Sequence, residues 1–201
     1  MAAQGFAHQG SGRAPSKRAI AEQNDYMLRR QENFRLAARY VTDALAEMTE
    51  VEKVVIIGSV AVPLVMEVPR FREFRRAGVK VLHECGDLDL AAWVSDLGSL
   101  KRLRKLVIQA LNLLLSEKNI GVAHHQVEVF VMEPGTNRYL GRFCRFKACP
   151  GTKPECRVPG CGDELFLQQH EDFELRADAV SPERTLPLFD RNDPSTAPGE
   201  T

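Results

Sequence analysis

Between residues 18 and 50, apolar side chains recur at Phe34, Leu36, Ala37, Tyr40, Val41, Ala44, Leu45 and Met48, close to the period of one helix face. This stretch predicts a long amphipathic helix. The period then changes: Lys53 to Ile57 reads KVVII and stops at Gly58 and Ser59, which predicts a buried strand closed by a tight turn. A helix is expected to start between Val60 and Met66, with Pro63 in its first turn, where a missing N–H costs nothing. The basic run RFREFRRAG, Arg70 to Gly78, leads into a short strand expected at Val79 to Leu82. Asp87 to Val94, DLDLAAWV, alternates polar and apolar and predicts a second strand. Ser99 to Asn119 carries Leu100, Leu103, Leu106, Val107, Ala110, Leu111 and Leu114 on one stripe and is the clearest helix. In Gln126 to Met132, Glu128 and Phe130 point one way and Val127, Val129 and Val131 the other; Pro134 and Gly135 end this third strand.

The two ends differ from this body. Residues 1–18 are rich in Gly, Ser, Ala and Gln, and residues 181–201 are rich in proline, so both are expected to fray. The organisation expected is a tail over 1–18, a main domain over 19–140, a cysteine-rich segment over 141–180 packed on it, and a tail over 181–201. The 201 residues carry 27 basic and 27 acidic side chains and are 44% hydrophobic, which excludes a wholly disordered chain and a strongly basic nucleic-acid binder. No apolar run approaches the roughly 18 to 20 residues that span a bilayer. The N-terminus, MAAQGFAHQGSGRAPSKR, lacks the apolar core of a secretory signal. No membrane segment and a cytoplasmic location are therefore expected.

Four of the five cysteines fall close together: Cys144, Cys149, Cys156 and Cys161, in the spacing C-x4-C-x6-C-x4-C. Without an export signal, a thiolate-bound metal is favoured over two disulfides, and four soft sulfur ligands close a tetrahedral structural Zn2+ site. Pro150, Gly151, Pro154, Pro159, Gly160 and Gly162 make this segment too rich in turn-formers to build its own core, so metal would supply the organising energy. The alternative is four unligated thiols in a loop. Cys85 stands apart and reads as a packed thiol.

The acids carry the candidate chemistry. Asp87 and Asp89, at i and i+2 on a strand, project from one face, where a divalent cation could bridge them. Two hard oxygen ligands with positions left for water and phosphate suit Mg2+. Glu128, on a strand that could lie alongside, supplies a third carboxylate, and three acids so close repel one another unless a cation neutralises them. Gly58 allows close backbone approach, and the N–H of Ser59 with the expected helix behind it would face an anion.

With these motifs in order, the chain resembles the nucleotidyltransferase superfamily, the group with the DNA polymerase beta-like palm that includes aminoglycoside and minimal, toxin-type nucleotidyltransferases. The resemblance lies in IIGSVAVPL and GDLDLAAWV and covers residues 50–132, with an insertion between Ser59 and Asp87. It implies an α+β fold: a mixed β-sheet palm flanked by helices, here with a long N-terminal helix and a small cysteine-rich zinc-binding appendage. It further implies that Gly58 and Ser59 hold the β- and γ-phosphates and that Asp87 and Asp89 bind catalytic Mg2+. Glu128 matches the third acid, more usually Asp, and would ligate metal or take the proton from the acceptor hydroxyl. The implied activity is Mg-dependent transfer of a nucleoside monophosphate from an NTP such as ATP to a hydroxyl of a small molecule, a protein or an RNA end.

A competing reading is a catalytically inactive module that binds nucleic acid or a protein partner through its zinc segment; a third adds a partner subunit of toxin–antitoxin type. Arg142, Arg145, Lys147, Lys153 and Arg157 could form a local basic patch, although zero net charge gives nucleic acid little support. Arg70, Arg72, Arg75 and Arg76 read first as a solvated face and second as phosphate contacts. His124 and His125 read as surface residues, Trp93 as core.

Overall fold

The computed structural model describes residues 14–144, 149, 161, 164–169, 173–193 and 195. The expected N-terminal tail up to residue 13, and Cys156, lie outside the described residues. The chain divides into two compact units, residues 1–29 with 64–84, and residues 30–63 with 85–201.

The larger unit is α+β and holds a mixed six-stranded sheet. Its elements are the later part of α1 (Lys17–Ala46), then β1 (Val51–Ile57) and, beyond the smaller unit, β4 (Leu88–Val94), α3 (Leu100–Lys118), β5 (Val127–Met132), β6 (Tyr139–Phe143), β7 (Leu167–Gln168) and β8 (Leu186–Asp190). The strand order is β7-β6-β5-β4-β1-β8. Only β4 and β5 run parallel, because α3 carries the chain back between them; the other neighbours are antiparallel.

Strand alternation sorts the sheet into two faces. Leu88, Leu90, Val129 and Val131 are buried on one, where Val107 of α3 lies beside Val127 and Val129. The buried stripe of α3 comprises Leu100, Leu103, Val107, Ala110, Leu111 and Leu114, and α1 buries Phe34, Ala37, Ala38, Val41 and Leu45 at the helical period. Tyr40 of α1 donates a 2.7 Å hydrogen bond to Glu117 of α3, joining the two helices at their rim. The second face carries Val55, Ile57, Ala91, Trp93, Phe130 and Met132, against which Tyr139, Phe173, Leu175 and Val180 pack. Trp93 is in the core, as read, and its indole N–H donates to the Thr136 carbonyl at 2.7 Å.

Two stretches depart from the sequence reading. The helix expected after Ser59 is replaced by one 3-10 turn, Gly58–Val60, after which the chain runs on without helix to β2 (Met66–Glu67). Gln31, 4% exposed, explains the change: its side-chain amide donates to the carbonyls of Ser59, Val60 and Val62, the last at 2.7 Å, taking acceptors that a continuing helix would use internally. The second stretch is at the C-terminus. Residues 186–190, within the stretch expected to fray, form β8, an edge strand paired with β1, and at the sheet edge Pro187 is tolerated. Arg191 fastens it by donating to the carbonyls of Ala46, Met48 and Val51 at 2.8 to 3.0 Å.

The smaller unit forms from the insertion and the start of α1. In it, β2 pairs with β3 (Val81–Leu82), and α2 (Arg72–Ala77) stops at Gly78, whose φ of 63° gives the left-handed cap that favours glycine. The Leu82 N–H donates to Asn24 Oδ1 at 2.8 Å. Arg70, Arg72, Arg75 and Arg76 are exposed, which agrees with a solvated face.

Candidate functional site

All the acids singled out by sequence fall in the larger unit, at the end of the sheet where β1 leaves and β4 enters. The antiparallel register sets Ile57 opposite Asp89, and the parallel register sets Asp89 beside Glu128. Asp89 and Glu128 therefore share the second face, on neighbouring central strands about 4.8 Å apart. Gly58 follows Ile57 at once, with φ of 71°, and a methyl group built on it would come within 3.0 Å of Asp89 Oδ2. The glycine has two local reasons: the left-handed backbone of the turn and the closeness of the carboxylate.

Asp87 differs from its expected place. It precedes β4, which starts at Leu88, and it is exposed, whereas Asp89 and Glu128 are half-buried. Among the described residues, no three His, Cys, Asp or Glu side chains converge as a group able to hold a metal ion. Asp89 and Glu128 are brought into register; Asp87 stands at the mouth of the strand and is not gathered with them.

Helix α1 holds the loops on either side of these acids. Arg30 donates to the Cys85 carbonyl at 2.6 Å and the Gly86 carbonyl at 3.3 Å, directly before Asp87. Arg35 Nε donates to the Val60 carbonyl at 3.1 Å, next to the Gln31 contacts. One helix thus fixes both the Gly58–Val60 turn and the approach to Asp87. Cys85 is 0% exposed, in keeping with a packed thiol; burial pushes its pKa up, opposed by a hydrogen bond with Ser59 and by nearby Arg30 and Arg35.

Arg142, one member of the possible basic patch, lies on β6 opposite Phe130, while Arg145, Lys147, Lys153 and Arg157 lie outside the described residues. Its guanidinium donates to Glu128 Oε2 at 2.5 Å, with the two side chains 23% and 14% exposed. It also lies over two rings, 5.7 Å from the Phe130 centroid and 5.3 Å from that of Phe173. Tyr139 packs beside them, with its ring 5.9 Å from Phe130 and 5.3 Å from Phe173. Among the described residues its buried hydroxyl has no hydrogen-bond partner; burial pushes the phenol pKa up, while Arg142 acts in the opposite sense. The signal that could have found Arg142 is the hairpin: strands meeting across Pro134–Gly135 set position 142 against 130, on the face that also bears position 128.

Of the cysteine segment, three members are described. Cys144 is 2% exposed, and its N–H donates to the Phe166 carbonyl at 2.8 Å; the Phe166 N–H donates to Cys149 Sγ at 3.3 Å. Cys161 forms a bridge with Gln168. Phe166 has φ of 61°, a costly conformation for a residue with a side chain, and its ring is held beneath Lys101 and Arg104. The complete set of four falls partly outside the described residues.

A cavity of about 320 Å³ opens at the other end of the second face, lined by Glu52, Lys53, Trp93, Asn137, Asp190 and Asn192. Asp89 and Trp93 are four positions apart on β4, about 13 Å, and the apolar cluster fills the interval, so cavity and acids are separate places.

No family model, no curated protein and no solved structure matches the chain. Among the described residues, no helix is long and apolar enough to cross a membrane.

Proposed function

We propose that the chain is a nucleotidyltransferase that moves a nucleoside monophosphate from an NTP to an acceptor hydroxyl. The observation that carries this reading is the register of Asp89: it stands between the Gly58 turn on β1 and Glu128 on the parallel strand β5, on the sheet face away from α3. Carboxylates beside a glycine turn on a central strand suit a cation together with a phosphate chain. In this reading Asp89 and Glu128, in register on β4 and β5, would hold Mg2+, Asp87 would join them from the strand entry when the ion binds, and Gly58 and Ser59 lie along the β- and γ-phosphates. When bound, Mg2+ would polarise the α-phosphate and neutralise the charge of the departing group. The acceptor oxygen bonds to the α-phosphorus, the bond from that phosphorus to the bridging oxygen breaks, and pyrophosphate leaves. With Glu128 on the metal, the acceptor proton passes to water.

The turn at Gly58–Val60 is too short to supply a helix dipole, so the phosphate chain depends on side-chain cations and on the metal. In the same reading Cys144, Cys149, Cys156 and Cys161 hold one structural Zn2+ that organises the chain between β6 and β7. A second reading, a non-catalytic module that binds a protein or nucleic acid through the zinc segment, is favoured by one observation: Glu128 already has Arg142 as its counter-charge. Binding of Mg-NTP by the wild type, lost in a folded Asp87→Ala/Asp89→Ala variant, supports the transferase; the absence of any such binding supports the module.

A further inference from the structure

The pair Glu128–Arg142 is three-quarters or more removed from water at both ends, with exposures of 14% and 23%. A charge so placed is costly when its partner is taken away, because neither water nor another group replaces the lost interaction. A cation bound at Glu128 would therefore strand the guanidinium. The Arg142 guanidinium carbon lies 5.7 Å from the Phe130 ring centroid and 5.3 Å from that of Phe173, so two aromatic rings hold the cation in place beside Glu128. The cradle does not depend on Glu128. Beside it, the buried Tyr139 hydroxyl interacts with Arg142 but makes no hydrogen bond of good geometry among the described residues, which leaves its O–H able to donate to an anion. Guanidinium and phenol together make a donor pair suited to phosphate oxygens, one strand from Glu128 and two from Asp89.

We infer that Arg142 is a positioning residue that alternates between two anions: it neutralises Glu128 in the free protein and turns to the phosphate chain when a divalent cation takes Glu128. This inference rests on the proposed transferase reading and adds a coupling to it. The cation alone binds weakly, because it must displace Arg142 without offering it a new anion. Cation and phosphate chain bind together, because the second supplies what the first takes away. The site then fills with the metal–nucleotide complex and not with free metal.

The test uses the full chain with two probes, Mn2+ alone, followed by electron paramagnetic resonance, and preformed Mn2+–tripolyphosphate, followed by calorimetry. The expectation for Arg142→Gln is opposite in sign for the two: Mn2+ alone binds about tenfold tighter, and the tripolyphosphate complex about tenfold weaker, the scale of one charge-assisted hydrogen bond. Arg142→Lys, which keeps the charge, recovers part of the difference. A merely structural role would weaken both probes together. Equal weakening, or no change in either, in a protein whose wild type binds the complex through Asp87 and Asp89 overturns the inference and leaves the transferase reading standing. Failure of wild type and variant alike to bind either probe overturns both. Should Arg142→Gln not fold, Glu128→Gln carries the test: it frees the guanidinium, so metal-free tripolyphosphate binds several-fold tighter, and unchanged affinity overturns the inference.

Discussion

Replacing Gly58 with alanine tests the junction on which the site depends, because it perturbs a backbone angle and a carboxylate at once. The alanine would hold φ of 71°, and its methyl carbon would stand 3.0 Å from Asp89 Oδ2. A left-handed residue with a side chain costs roughly 1 to 2 kcal/mol. Turning the aspartate aside adds roughly 0.5 to 1.5 kcal/mol, the cost of an off-rotamer side chain. Against these, alanine restricts the unfolded chain and returns about 0.4 to 1 kcal/mol. The net loss is on the order of 1 to 2 kcal/mol, which lowers Tm by about 2 to 8 °C in a chain of this size. The assay is urea and thermal unfolding of Gly58→Ala, Asp89→Ala and the double variant. The carboxylate part of the loss should vanish when Asp89 is already alanine, so the cycle gives a coupling of about 0.5 to 1.5 kcal/mol. A Gly58→Ala protein as stable as wild type, or losses that simply add, would refute the closeness of turn and carboxylate.

Further outcomes follow from other parts of the fold. Arg191→Ala removes the donor to the carbonyls of Ala46, Met48 and Val51 and should cost about 1 to 3 kcal/mol in urea unfolding, with hydrogen exchange speeding first in β8; unchanged exchange would contradict the fastening. Glu133, hydrogen-bonded to Arg138 and Thr136, has its carboxyl held down to about 2 from an ordinary 4.5. A depressed carboxyl stabilises the fold above its unfolded pKa, so this contribution fades as pH falls from about 4.5 to about 2 and is missing in Glu133→Gln; an NMR midpoint near 4.5 would contradict it. The isolated protein should carry one Zn2+ per chain, and Cys156→Ser or chelation should lower Tm; a metal-free chain with an unchanged midpoint would remove the zinc proposal.

The elements legible in sequence were those whose side chains alone report burial. The stripe of α3 and the alternation of β5 gave their elements within a residue, because each period reflects which side meets the core. Gly58, Asp89 and Glu128 were legible as a set because each sits at or beside a strand end whose order along the chain survives folding. Other features depend on partners far away in sequence. The turn after Ser59 is set by Gln31, 28 positions earlier, which no local propensity reports. Strand β8 was hidden by Pro187 and by its composition; what makes it a strand is the free edge of β1 and the grip of Arg191 on Val51, 140 positions away. Arg142 looked like one basic residue among several until the hairpin register brought it to Glu128. Asp87 shows the cost of reading alternation past a strand end: the pattern continued one residue beyond the hydrogen-bonded ladder, and the side chain is exposed.

The most direct test of the transferase proposal is calorimetric titration of each Mg-NTP into the wild type and into Asp87→Ala/Asp89→Ala, with circular dichroism and zinc content checked in both. The account predicts Mg-dependent binding of at least one triphosphate by the wild type and its loss in a folded variant. Binding that survives removal of both aspartates, or none by a folded wild type, would contradict it.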